Sequence, residues 1–142
     1  MFKKILLATD GSEASEAAVA SAFSLAREYE LVLQVITVVD IYGAYYATPE
    51  SIRFLWQEGQ SLLDKLVQRA AEVEVTIETH LLETDVGGKH ISDILLAEIA
   101  RQQADLIILG SHGRRGITKF LMGSVALAIC QSAPCSVFIA RN

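Results

Sequence analysis

The chain has 142 residues, 51% of them hydrophobic and 20% charged, with a formal net charge of −5. That balance excludes a disordered chain, and the length fits one domain, residues 1–142, with a core of its own. No apolar run approaches the ~20 residues of a membrane helix, and a net acidic chain is poorly suited to general nucleic-acid binding, so neither partner is expected.

In chain order, residues 3–9 read as a first strand whose continuous Ile5-Leu6-Leu7-Ala8 suits a strand covered on both faces. It runs into Thr9-Asp10-Gly11-Ser12, where Ser12 is a natural N-cap and Glu13 and Glu16 load the first helical turn with favourable negative charge. Ala14, Ala17, Ala18, Ala22, Leu25, Ala26 and Tyr29 then keep helical spacing to about residue 30. A second strand covers about residues 31–39 and stops at Asp40. A loop rich in tyrosine (Tyr42, Tyr45, Tyr46) leads to Pro49 at the start of a second helix. Its expected inner stripe contains Ile52, Leu55, Trp56, Gly59, Leu62, Leu63, Leu66, Val67 and Ala70. Residues 75–82 alternate apolar and polar, as an edge strand would.

Gly87-Gly88 precedes a third helix with Ile91, Ile94, Leu95 and Ile99 inward. Leu106-Ile107-Ile108-Leu109 is a buried fourth strand, residues 123–132 a fourth helix stopped near Pro134, and residues 136–141 a final strand. Strands alternating with helices give an α/β doubly wound parallel sheet of five strands with helices on both faces. Right-handed crossovers leave few orders, and 3-2-1-4-5 is the one expected. Ligands of such sheets bind beyond the carboxyl ends of the strands where the order reverses, here between strands 1 and 4.

The stretch at that reversal is Gly110-Ser111-His112-Gly113-Arg114-Arg115-Gly116, followed by Lys119 and by Gly123-Ser124 at a helix start. Glycines let backbone N–H groups approach an anion, and a helix N-terminus presents unpaired donors. The spacing is Gly-x2-Gly-x9-Gly-Ser, which is neither a Walker A loop nor the dinucleotide Gly-x-Gly-x-x-Gly. Charge agrees: residues 1–104 hold 8 Lys/Arg and 16 Asp/Glu, net −8, and residues 105–142 hold 4 Lys/Arg and one acid, net +3. Asp10 and the glycine loop therefore meet in space, and a small phosphate-bearing ligand is the expectation. No signal-peptide pattern follows Met1, and Cys130 and Cys135 suit neither a disulfide framework nor a four-ligand zinc site, which together predict a reduced, cytoplasmic protein.

With those motifs in view, the chain resembles the universal stress protein family along nearly its whole length. The matching stretches are Ile5-Leu6-Leu7-Ala8-Thr9-Asp10-Gly11-Ser12, the run from Ala104 through Gly113, Leu121-Met122-Gly123-Ser124-Val125-Ala126, and the run from Ala133 through Ala140. The resemblance is to the branch with the Gly-x2-Gly-x9-Gly-Ser pattern, and it implies ATP as ligand, with or without Mg2+, with ADP or AMP as alternatives. It implies that Asp10 bonds the ribose and that Ala8, with Thr9, lines the pocket through its backbone. Val38 would meet the adenine through its main chain. Gly110 and Gly113 would let the loop wrap the phosphates beside Arg114 and Arg115, where some relatives carry other polar residues. Gly123, Ser124 and Val125 would supply the helix-start donors. It also implies a homodimer through the last strand, Val137, Phe138, Ile139 and Ala140. An exposed apolar edge strand independently invites pairing with a second copy.

The residues leave several roles open. Ser124 is an N-cap or a phosphate donor, and His112 packs the loop or touches the ligand, with no nucleophile–base arrangement expected around it. His80 and His90 are expected at the surface. The functional expectation is a nucleotide-dependent sensor of stress or energy state acting through an unidentified protein partner, with the loops at 41–48 and 114–122 as its bistable elements. A slow ATPase and a dimeric interaction module without nucleotide are the alternatives.

Overall fold

A computed structural model describes residues 1–41, 48–85, 89–112 and 122–142. The elements are β1 (Ile5–Ala8), a 3-10 turn (Glu13–Ser15), α1 (Glu16–Glu28), β2 (Leu33–Val39), α2 (Pro49–Glu72), β3 (Ile77–Glu83), α3 (Ile91–Gln102), β4 (Leu106–Gly110), α4 (Ser124–Ser132) and β5 (Ser136–Ala140). All strand pairs are parallel, in the order β3-β2-β1-β4-β5. The expected order and both edge positions are therefore correct. The loop tyrosines, Gly87-Gly88, and residues 113–121 with Gly113, Arg114, Arg115, Gly116 and Lys119 lie outside the described residues.

Why β1 and β4 read as unbroken apolar runs is clear from the packing, because each strand alternates between two cores. Ile5, Leu7, Val35, Leu106 and Ile108 face α1 and α2, burying Ala18, Val19, Ala22, Phe23, Leu63 and Leu66. Leu6, Ala8, Ile36, Ile107 and Leu109 face α3 and α4, burying Leu95, Ile99, Ala126 and Ile129. Small residues on α1 bring that helix close to β4 and β5. β3, which buries none of its residues fully, keeps the half-polar pattern of an edge.

Three expectations about inner faces need correction. Val19 and Phe23 join the α1 face, because the helix proper begins at Glu16 after a separate 3-10 turn. Val67 is 46% exposed, being one position off the Leu63–Leu66–Ala70 line, and Trp56 is half-buried with its Nε1 donating to Glu83 Oε2 at 2.8 Å. His80 is not a surface residue: it is half-buried, with Nε2 2.7 Å from Oε1 of the buried Gln34. His90 is exposed, as expected, and its N–H donates to Asp93 at the start of α3.

Glu98 is the polar residue of the α3 inner face that periodicity did not suggest, only 6% exposed. Its carboxylate accepts from Arg101 Nε and Gln102 Nε2, each at 2.7 Å. The Arg101 hydrogen bond holds the carboxyl below its ordinary value of 4.5, against burial, which pushes the other way. A carboxyl depressed in the folded state adds stability above its unfolded pKa, and that stability is lost as pH falls through the folded value. Glu98→Gln is accordingly expected to flatten the loss of stability as pH falls below the carboxyl's ordinary value of 4.5, read by urea unfolding at each pH.

Candidate functional site

The carboxyl ends of β1 and β4 lie side by side, and the 3-10 turn after β1 is built against Gly110, the last residue of β4. After β1, Thr9 N–H donates to Ile36 O at 3.0 Å, and Thr9 O accepts from the buried Thr37 hydroxyl at 2.8 Å. A relay of small polar groups then closes the turn. Gly11 N–H donates to Thr9 Oγ1 (3.2 Å), Thr9 Oγ1 lies 2.9 Å from Ser15 Oγ, and Ser15 Oγ donates to Ser12 O (2.9 Å). With Ser15 already donating, the Thr9 hydroxyl is the donor between the two side chains. Asp10 Oδ1 accepts from Ser12 N–H at 2.9 Å, an Asx turn, and Gly11 takes φ +77°, which glycine adopts without strain.

The β4 loop is held as tightly. Ser111 N–H donates to Ala140 O on β5 at 3.1 Å, and Ser111 O accepts from Gly123 N–H at 2.7 Å. The start of α4 is thus fixed to the end of β4. The two glycines that bracket this arrangement leave little room for side chains. A Cβ on Gly110 would lie 3.0 Å from Ala14 O and 3.2 Å from Ser15 Cα, and one on Gly123 would lie 3.1 Å from Ser111 O. Their smallness lets protein backbone meet protein backbone.

Of the residues expected at the site, Ala8, Thr9, Asp10, Val38, Gly110, His112, Gly123, Ser124 and Val125 are described. Ala8 and Val38 lie on the sheet face that packs toward α3 and α4. Thr9 is buried and its hydroxyl is committed within the turn. Ser12 holds the cap position of the 3-10 turn, yet its side chain makes no cap bond, and the Ser15 N–H that such a cap would take donates to Ser12 O. Ser124 is not the N-cap: Gly123 holds that position without a side-chain bond, and Ser124 is the exposed first residue of α4. Val125 is half-buried against the core and so anchors the first turn.

Around His112 a hydroxyl partner is present, contrary to expectation. Ser111 Oγ lies 3.0 Å from His112 Nδ1 and orients the ring. Ser15, Thr37 and Ser111 were missed as parts of the site. The signal for Ser15 was its spacing of three from Ser12, the register at which a hydroxyl can close a turn. Asp40, beyond β2, accepts from the Thr84 hydroxyl at 3.1 Å and so ties the ends of β2 and β3 together. No helix among the described residues is long and apolar enough to cross a membrane. Cys130 and Cys135 are free thiols, and burial pushes the Cys135 thiol up.

The sequence model of the universal stress protein family matches residues 1–141. A universal stress protein of Methanocaldococcus jannaschii is 33% identical over 151 aligned residues, covering 100% of this chain and 84% of that one. Among solved structures, the universal stress protein UspA of Lactobacillus plantarum superposes with a TM-score of 0.81 at 24% identity, over 98% of this chain and 97% of that one. The universal stress protein of Archaeoglobus fulgidus in complex with dAMP gives a TM-score of 0.72 at 23% identity, over 98% of each chain.

Proposed function

The chain belongs to the universal stress protein family, and from that premise we propose that it binds an adenine nucleotide where β1, β2 and β4 end. The observation that carries this reading is the junction of the two strand ends. The 3-10 turn after β1 packs against Gly110 at the end of β4, where strand order reverses, and Ser111 O holds Gly123 N–H at the start of α4. Parallel sheets bind ligands at that place, and a helix N-terminus favours an anion there. The dAMP complex of the Archaeoglobus fulgidus protein, which shares this fold, supports an adenine nucleotide as the ligand class.

In this reading ATP is the ligand, with Mg2+ or without, and ADP and AMP compete for the same place. Asp10 accepts from the ribose, the main chain at Ala8 and Val38 borders the adenine, and Gly123, Ser124 and Val125 offer donors to the phosphates. Gly113, Arg114 and Arg115 complete the phosphate side. Occupancy then biases the surface that a partner protein reads, so that a cytoplasmic homodimer reports energy or stress state without turning over a substrate. A ligand does this only by differential affinity for two states. The dimer forms through β5, an edge strand whose Phe138 is 40% exposed beside Ala20, Ser21 and Ser24 of α1. Sedimentation equilibrium reads that assembly directly.

Thermal unfolding tests the nucleotide. A ligand at a hundredfold its Kd stabilises by about 2.7 kcal/mol. For a domain of this size the midpoint should rise by roughly 5–10 °C with ATP, ADP or AMP. An unchanged midpoint at saturating concentrations of all three would remove the reading.

A further inference from the structure

β3 closes the sheet on the side opposite β5 and has β2 as its one neighbour. In their parallel ladder Leu33 N–H donates to Thr76 O and Thr84 N–H donates to Val39 O, each at 3.0 Å. A strand in such a ladder turns the backbone of every second residue to its neighbour. Thr76, Glu78, His80, Leu82 and Thr84 therefore face β2, while the N–H and C=O of Ile77, Thr79, Leu81 and Glu83 point away from it. Among the described residues no backbone hydrogen bond reaches those outward groups. An unpaired edge of this kind is a template for one more strand.

Charge decides what that strand can be. Residues 70–85 hold Glu72, Glu74, Glu78, Glu83 and Asp85 and no Lys or Arg. The whole chain has 17 Asp and Glu against 12 Lys and Arg, so this stretch accounts for all of its net −5. The acids bracket β3: Glu72 and Glu74 precede it, Glu78 and Glu83 lie in it, and Asp85 follows. Glu74 reaches Arg27 only at 3.9 Å with both side chains largely exposed, and Glu83 accepts from the neutral Trp56 indole. Glu72 and Glu78 have no salt bridge among the described residues. A second copy is a poor occupant, because two such strands side by side set like charges against each other. We propose that the free edge of β3 takes an extended segment of a partner protein, bearing lysine or arginine, as a sixth strand. Backbone bonds to Ile77, Thr79, Leu81 and Glu83 hold it, and the acids around them select its charge. β2 separates this edge from β1, so the inference does not depend on nucleotide binding.

Hydrogen exchange read at single amides by NMR tests it on nucleotide-free protein. The probes are a synthetic peptide of alternating lysine and threonine and its counterpart with glutamate for lysine. The lysine peptide at saturation should slow exchange at Ile77, Thr79, Leu81 and Glu83 by about tenfold or more. It should leave Glu78, His80 and Leu82, which already bond β2, nearly as they were, and the glutamate peptide should do nothing. Glu78→Lys, at an exposed position, should raise the Kd of the lysine peptide about fivefold or more, since it turns an attraction into a repulsion. Thr79→Pro should abolish the protection, because it removes an outward N–H without touching the β2 ladder. Should that variant fail to fold, Glu78→Lys decides the matter. No alternating protection with the lysine peptide, equal protection with the glutamate peptide, or a Glu78→Lys Kd within about twofold of wild type overturns the inference. Protection of the same four amides that grows with protein concentration in the absence of peptide also overturns it, because a second copy is then the occupant.

Discussion

Gly110→Val is expected to destabilise the fold by roughly 2–3 kcal/mol and to take nucleotide binding with it. The new Cβ would stand 3.0 Å from Ala14 O, 3.2 Å from His112 O and 3.2 Å from Ser15 Cα. All three are backbone atoms, which cannot rotate aside as a side chain does, and the two methyl groups of valine add to the crowding. Relief requires the turn at residues 12–15 to move off β4, which breaks the Thr9–Ser15 bond. Gly59→Ala is the matched control. Its Cβ would meet the end of the Leu81 side chain at 2.7 Å, a group that can move, and an alanine in mid-helix gains about 1 kcal/mol of propensity. Urea unfolding of both should show a clear loss for the first and little change for the second. Equal effects would mean that backbone contact at Gly110 is not what the glycine is for.

Gly123→Val is expected to weaken ATP binding by about a hundredfold or more while leaving most of the fold standing. Strain is not the cause, since Gly123 has φ −65° and ψ 159°, open to any residue. The cause is contact: the Cβ would lie 3.1 Å from Ser111 O, the same oxygen that accepts the Gly123 N–H at 2.7 Å. A side chain there pushes the first turn of α4 away from β4. Helix donors serve an anion only when they are aimed at it, and their effect fades within a turn. Ala126 and Ile129 farther along the helix remain buried in the core, so the damage stays near the helix start.

Much of this was legible in the residues. Leu106-Ile107-Ile108-Leu109 and Ile5-Leu6-Leu7-Ala8 read as doubly covered strands because both of their faces are apolar, and right-handed crossovers did the rest for strand order. Helix faces were less legible. Glu98 is buried because Arg101 and Gln102 follow it on the same side, a dependence on partners that hydrophobic periodicity cannot carry. His80 was misjudged for the same reason, its burial depending on Gln34 of a neighbouring strand. Glycine spacing did not show what crowds Gly110 and Gly123. Backbone of the 3-10 turn presses on Gly110 and Ser111 O on Gly123, and that is a property of tertiary approach. Ser12 and Ser124 both looked like side-chain helix caps, yet Ser12 caps its turn only through its backbone oxygen, and Gly123 holds the cap position before Ser124.

Calorimetric titration of ATP into nucleotide-stripped protein, with and without Mg2+, for the wild type and Gly123→Val, addresses the central claim most directly. Nucleotide binding at the β1–β4 junction predicts saturable heat for the wild type and a loss of affinity of about a hundredfold or more in the variant. Equal affinity in the two proteins, or no heat from the wild type with ATP, ADP or AMP, would contradict it.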